Sequence, residues 1–318
     1  MIDRSELPDP ILSRLETKLA LATALAASVL WAFMPILIRI SESFVSPNTT
    51  VFTRFWIATA ILGIWSGVFR KNEQITPAVK ESYNTNKLLM PLLVLAIASI
   101  STQLLWTWSI TQTFVANSEV LHCLSPGFTT LAGWLLFSQR FNGRFLIGMV
   151  LATGGTLAIG LSDLNSINLQ GDGLALLSAI FWGAYIMSME KLRHDLSPTT
   201  IVMLASGSCA LLCLPVMLIA DDPVLPYSGE AWLTLIALAL NTILCHCLVA
   251  YSLKWLSSGL IATILLLSPI LTAIVGWALF SEALSLLNLL GFVVILVGLY
   301  LAISDEGELK IAADETLL

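Results

Sequence analysis

Charge is what this sequence is short of. Lys, Arg, Asp and Glu together make up 11% of the 318 residues, and 57% are hydrophobic. A soluble domain carries about 25% charge. With a mean hydropathy of +0.87, the chain must be solvated chiefly by lipid, which excludes an ordinary soluble enzyme. The few basic residues form no patch, so nucleic acid is excluded as a partner. The net charge of −6 sits mainly in the tails and loops. A Walker-type glycine loop, a nucleotide-binding domain and a Ser/His/Asp spacing are all lacking, so neither an ATP-driven pump nor a hydrolase is expected, and no cofactor. Residues 1–18, MIDRSELPDPILSRLETK, lack the basic n-region and short apolar core of a secretory signal and are too acidic for a transit peptide. They read as a cytoplasmic tail with a short amphipathic turn at Ile11, Leu12 and Leu15.

Cysteine is sparse too. Cys123, Cys209, Cys213, Cys245 and Cys247 all lie in apolar runs, as reduced core residues do. Cys245-His246-Cys247 has the look of a metal cluster, but helix neighbours two apart point to nearly opposite sides. A metal site would need His122 and Cys123 to approach from another helix, and no metal is expected.

What the chain has is a repeated stretch. Leu124–Ser138, LSPGFTTLAGWLLFS, recurs 143 residues later as Leu267–Ser281, LSPILTAIVGWALFS, with 9 of 15 positions identical. Each copy carries a proline within a long apolar run. Such a proline frees the carbonyl four residues back and kinks or breaks the helix, which predicts free carbonyls at His122 and Leu265. In lipid a freed carbonyl is tolerated only where protein or a watery cavity satisfies it. Interrupted helices at matching places in two halves point to a transport site; the alternative is a duplicated packing motif.

A spanning helix needs about 20 mostly apolar residues. The sequence predicts ten: 19–41, 48–69, 88–111, 114–137, 144–161, 172–192, 199–220, 230–253, 259–280 and 285–303. Turn and cap residues punctuate them at Ser46-Pro47-Asn48, Asn142-Gly143, Gly171-Asp172-Gly173 and Ser197-Pro198. The one longer polar connector is 70–87, and the acidic end, 304–318, reads as a disordered cytoplasmic tail. With the N-terminus inside, the inner segments hold 13 of the 15 basic residues and the outer connectors none. Arg39, at the outer end of the first span, can snorkel. Both termini are then cytoplasmic.

The repeat extends further. Leu25 and Trp31 match Leu176 and Trp182 at an offset of 151, and Trp108-Ser109 matches Tyr251-Ser252 at 143. Gly148 and Gly155 match Gly291 and Gly298. The halves are therefore 19–161 and 172–303, five spans each. Five is odd, so the second half enters with opposite orientation: an all-α membrane protein of ten transmembrane helices in two inverted repeats.

Ten spans in two halves, Trp followed by a small residue on spans 1 and 6, Arg54-Phe55 on span 2, and Pro then Gly-Trp on spans 4 and 9 resemble the drug/metabolite transporter (DMT) superfamily, EamA type. The resemblance covers about residues 20–303. It implies ATP-independent movement of small metabolites, often export of amino acids, through a central cavity between the halves by alternating access. It does not imply an acid at position 119.

Polar residues inside spans are the candidate site, because their burial is costly unless paired or hydrated. Glu119 and His122, at i and i+3, share a face one turn from Pro126; they offer a proton-coupling site, an anchor for a substrate amine, or a bracing pair. Arg54 offers a fork for a carboxylate or a structural donor to carbonyls. Trp31 and Trp182 with Tyr185, and Gln103 with Trp106, can line a pocket. Asn241 and His246 are further candidates. Ser125 and Ser268, beside Pro126 and Pro269, can bond substrate or the freed carbonyls. The reading is a secondary transporter in the cell's inner membrane, an exporter of amino acids or similar metabolites, monomer or homodimer. An importer is one alternative. A sugar-phosphate or nucleotide-sugar exchanger is another, but it would want several cavity cations where only Arg54 lies deep. A membrane-embedded enzyme would need a catalytic cluster at one interface. A non-transporting scaffold leaves the kinked repeat unexplained.

Overall fold

The structure, a computed structural model, describes residues 10–69, 85–113, 115–137, 139–161, 168–280 and 285–316. Most of the 70–87 connector lies outside them. Among the described residues every regular element is helical: α1 (Pro10–Trp31), α2 (Met34–Ser41), α3 (Pro47–Phe69), α4 (Thr85–Gln112), α5 (Val115–His122), α6 (Ser125–Phe137), α7 (Gly143–Leu161), α8 (Leu169–Leu192), α9 (Pro198–Ala220), α10 (Gly229–Ser252), α11 (Ser258–Ile264), α12 (Ser268–Phe280) and α13 (Leu286–Thr316), with a 3-10 turn at Leu265–Leu267. Among the described residues, seven segments are long and apolar enough to cross a membrane: Glu16–Ser41, Leu88–Gln112, Leu169–Leu192, Pro198–Ala220, Gly229–Ser252, Ser258–Val275 and Leu286–Ser304.

The helix starts follow local chemistry. Ser197, Ser228, Ser257 and Asn168 cap α9, α10, α11 and α8 by accepting from backbone N–H groups of the first turn. The Asn168 cap corrects one expectation: Gly171-Asp172-Gly173 is not a turn but the first turn of α8. A second correction concerns the tails. Helix α1 begins at Pro10, inside the expected polar tail, with proline at its favoured first position. Helix α13 runs to Thr316 through the acidic end expected to be disordered. That segment holds Glu, Leu, Lys and Ala, all strong helix formers, and no proline to stop it.

The bundle is strongly apolar outside, and its largely apolar core also takes in polar side chains. Leu136, Leu211, Leu218, Ile219, Leu233 and Tyr300 stand exposed, whereas Ser28, Thr53, Arg54, Thr102, Ser109, Thr242 and Ser252 are buried. The apolar exterior suits lipid as the solvent. At one end, Asn48 Nδ2 donates to Asp222 Oδ2 at 2.7 Å and Trp108 Nε1 donates to Asn48 Oδ1 at 2.8 Å. At the other, the Ser258 N–H starting α11 donates to Glu190 Oε2 at 3.0 Å, and Arg193 Nε donates to the Ala250 carbonyl at 2.7 Å. Partial burial lowers the Arg193 pKa from its usual range.

Helices α7 and α13 pack backbone to backbone. A Cβ on Gly148 would come 2.4 Å from the Gly298 carbonyl oxygen, and one on Gly298 would come 2.5 Å from the Gly148 oxygen. Gly155 and Gly291 face each other likewise, each Cβ 2.8 Å from the other's carbonyl oxygen. Small residues let membrane helices approach this closely, and backbone atoms cannot move aside as a side chain can. Gly148→Ala and Gly298→Ala should each destabilise the protein by about 1–3 kcal/mol, read as a lower thermal midpoint in detergent. Gly154→Ala, whose Cβ meets nothing within 4 Å, should leave the midpoint unchanged or higher. Equal behaviour of all three would refute the tight-seam description.

Candidate functional site

The site is built at three helix breaks. Two were expected. Helix α5 stops at His122 and α6 resumes at Ser125, beside Pro126; α11 passes through the 3-10 turn into α12, beside Pro269. The third, between Trp31 and Met34, was not expected: Pro35 sits in the first turn of α2 and withholds its N–H from the preceding turn. Carbonyls around these breaks accept hydrogen bonds from side chains. Ser28 Oγ donates to the Ile264 carbonyl at 3.1 Å, and Thr272 Oγ1 donates to the Ala32 carbonyl at 3.1 Å. Asn241 Nδ2 donates to the Leu30 carbonyl at 3.1 Å. The Leu265 carbonyl, predicted to be free, accepts from Ser268 Oγ at 2.8 Å.

Where these breaks meet, a small cavity of about 20 Å³ is lined by Trp31, Trp182, Glu119, His122, Cys123, Ser125 and Ser268, and by Ala262, Leu265 and Leu266. The serines, rather than Pro126 and Pro269 themselves, form its wall. Glu119 Oε1 is buried with no hydrogen-bond partner, as is Trp106 Nε1. The two interact without meeting hydrogen-bond geometry. His122 Nδ1 lies 2.9 Å from Ser178 Oγ, and that hydroxyl donates to the Ala175 carbonyl at 2.6 Å. A hydroxyl has one proton to give. The network therefore assigns His122 an Nδ1–H that donates to Ser178 and leaves Nε2 as an acceptor.

An aromatic wall leads away from this cavity. Trp31 and Trp182 lie 4.8 Å apart between ring centroids, Trp182 and Tyr185 5.2 Å, and Trp31 stacks on His246 at 5.5 Å. Tyr185 Oη and His246 Nδ1 are 3.1 Å apart, while His246 Nε2 is buried without a partner. Beyond His246 comes Phe55, with a centroid distance of 6.5 Å, and the Arg54 guanidinium sits 4.4 Å over the Phe55 ring. Arg54 Nη2 donates to Gln103 Oε1 and Nη1 to Met34 Sδ. Helix α4 serves both regions, with Gln103 toward Arg54 and Trp106 packed 5.7 Å from the His122 ring.

The candidates thus fall into two connected groups. Glu119, His122, Trp31, Trp182, Ser125 and Ser268 line the cavity; Arg54, Gln103, Tyr185, His246 and Asn241 lie along the aromatic wall. Sequence reasoning missed Ser178, although it stands one turn before Trp182 on the same helix face, and it missed Met34, beside Pro35. Among the described residues no three His, Cys, Asp or Glu side chains come together as metal ligands.

A lipid-facing helical bundle with a polar cavity at broken helices is a membrane transporter in class. Comparison with known proteins agrees. Residues 18–161 and 169–304 each match the EamA-like transporter family, and the chain belongs to that family. An uncharacterized transporter of Archaeoglobus fulgidus is 26% identical over 291 residues, 87% of this chain and 95% of the relative. The threonine/homoserine exporter RhtA of Escherichia coli K12 is 28% identical over 189 residues, 58% of this chain and 63% of RhtA. The GDP-mannose transporter GONST5 of Arabidopsis thaliana is 25% identical over 193 residues, 58% of this chain and 56% of GONST5. A crystal structure of 17% identity superposes with a TM-score of 0.73, covering 89% of this chain and 98% of that one, which shows the shared fold.

The orientation of His122 by Ser178 is testable. Ser178→Ala should cost about 1–3 kcal/mol by stranding the Nδ1–H. In the double variant with His122→Phe, the cost of losing Ser178 should shrink. Additive thermal shifts would show that the two side chains are not coupled.

Proposed function

We propose that the protein is an ATP-independent exporter of amino acids or similar small metabolites, working by alternating access of the cavity. Its ten spans are α1–α2, α3, α4, α5–α6, α7, α8, α9, α10, α11–α12 and α13, in two inverted halves, 19–161 and 172–303, with both termini cytoplasmic. The observation that carries the reading is the cavity itself: a carboxyl with a buried oxygen lacking a hydrogen bond, close to an imidazole, where breaks in corresponding helices of the two halves converge. The two separate family matches support the repeat. So does the packing: α4 packs on α8 as their repeat mates α10 and α1 pack on each other, and α3 and α7 pack on their mates α9 and α13. The threonine/homoserine exporter among the relatives favours an amino acid as solute. The nucleotide-sugar transporter relatives favour a phosphate-bearing solute less well, because Arg54 is the only Lys or Arg among the buried described residues. Relatives named as transporters favour carriage over catalysis.

Within this reading Glu119 couples proton movement to the solute. Glu119→Gln keeps the shape and hydrogen-bonding capacity of the side chain and removes its charge. In liposomes carrying the variant, solute exchange should persist while the response to a pH gradient is lost; a retained pH response in a stably folded variant would refute the coupling role. If Glu119 holds a substrate amine instead, exchange itself should fall, most for cationic solutes. Topology has its own test. A cysteine introduced within 221–229 should label from outside intact cells, and one within 72–86 only after permeabilisation; the reverse pattern would overturn the orientation.

A further inference from the structure

Arg54 is the most buried charged side chain described, with 1% of its surface exposed. Its guanidinium has five N–H donors, yet the acceptors it finds are weak and neutral: the Gln103 amide oxygen and the Met34 thioether, with Nη1–Sδ at 3.6 Å. Its Nε has no partner at all. Among the described residues no carboxylate pairs with it; the titratable groups acting on it are Cys209, Cys213, Cys245 and Tyr185. A buried cation is normally paired and fully hydrogen-bonded, because desolvation is otherwise uncompensated.

The surroundings are as unusual as the charge. Two donors from two helices converge on one thioether, Arg54 Nη1 and Asn241 Nδ2, the latter at 3.9 Å from Met34 Sδ, while the nearby Thr242 hydroxyl gives its one proton to the Leu238 carbonyl at 2.8 Å. Sulfur in a thioether is a poor acceptor, and methionine, with three rotatable bonds, leaves a space easily. Met34 is also the first residue of α2 after the break.

We infer that Arg54, with Gln103 and Asn241, forms a carboxylate subsite that Met34 plugs when no solute is bound. The missing counter-ion is the carboxylate of the carried solute, held by the guanidinium fork and reached by displacement of the methionine. This names a chemical class for the solute and rests on the transport reading for its being carried. The same anion-binding chemistry would accept inorganic chloride, so the test separates the two.

Thermal unfolding of the purified full chain in detergent would be followed with propionate against propionamide, L-threonine against L-threoninamide, and chloride. The carboxylate of each pair should raise Tm above its amide, and chloride should not substitute. Arg54→Gln should weaken the carboxylate response by about 10- to 100-fold, the strength of one charge-assisted fork, without lowering the ligand-free Tm. Arg54→Lys should keep part of the response. Gln103→Glu supplies a fixed counter-ion and should raise the ligand-free Tm while abolishing the carboxylate preference; it decides the matter even where Arg54→Gln fails to fold. Equal responses to carboxylate and amide, or a preference that survives Gln103→Glu, would overturn the subsite. A chloride response equal to that of the carboxylates would reassign it to an inorganic anion and overturn the solute assignment. Wild-type liposomes that exchange no solute, with the Tm pattern intact, would sink the transport reading and leave the subsite standing.

Discussion

Every unusual feature of this molecule follows from one constraint: inside a bilayer, a backbone carbonyl that loses its helical partner must find another within the protein. Two of the breaks face each other and exchange partners. Ser28, on α1, reaches the end of α11, and Thr272, on α12, reaches back to the break after α1. These two interruptions are stitched together rather than merely tolerated. That arrangement brings irregular backbone, hydroxyls and an amide to one place in the interior, beside the cavity.

The same constraint governs the charged side chains. Glu119 and Arg54 could in principle have neutralised one another, yet they stand at opposite ends of an aromatic wall running through Trp182, Trp31, His246 and Phe55. Each keeps an unpartnered polar atom. A sequence selected for stability alone would have paired or removed them, since a buried ion is a poor stabiliser even when matched. Their separation makes the interior electrostatically unfinished at two points, which is how a binding surface differs from a core.

Much of this was legible in the sequence because apolar runs in membranes report directly on helices, and because a duplicated motif announces itself without any homologue. The matched Ser-Pro pairs mark two breaks, but the Leu265 carbonyl expected to be free is taken up by the 3-10 turn, accepting the Ser268 N–H as well as its hydroxyl. Proline alone could not settle the rest. Pro91 and Pro215 lie within continuous helices, whereas Pro35 follows the break between α1 and α2; the residue type alone does not distinguish them. Ser178 and Met34 escaped notice for the same reason. A serine and a methionine are unremarkable in an apolar helix until His122 and Arg54 are placed beside them. At the ends of the chain, local composition outweighed charge: residues 305–316 are polar enough to suggest a loose tail, yet their helix-forming content carries α13 onward.

The glycine seam has one more consequence. Gly148 touches Gly298 and Gly155 touches Gly291, while by sequence Gly148 corresponds to Gly291 and Gly155 to Gly298. Gly148 therefore meets the counterpart of Gly155, and Gly155 the counterpart of Gly148, the reciprocal pattern of an interface between two identical subunits related by a two-fold axis. On the proposed reading of two repeated halves, the seam is a self-complementary contact carried within one polypeptide.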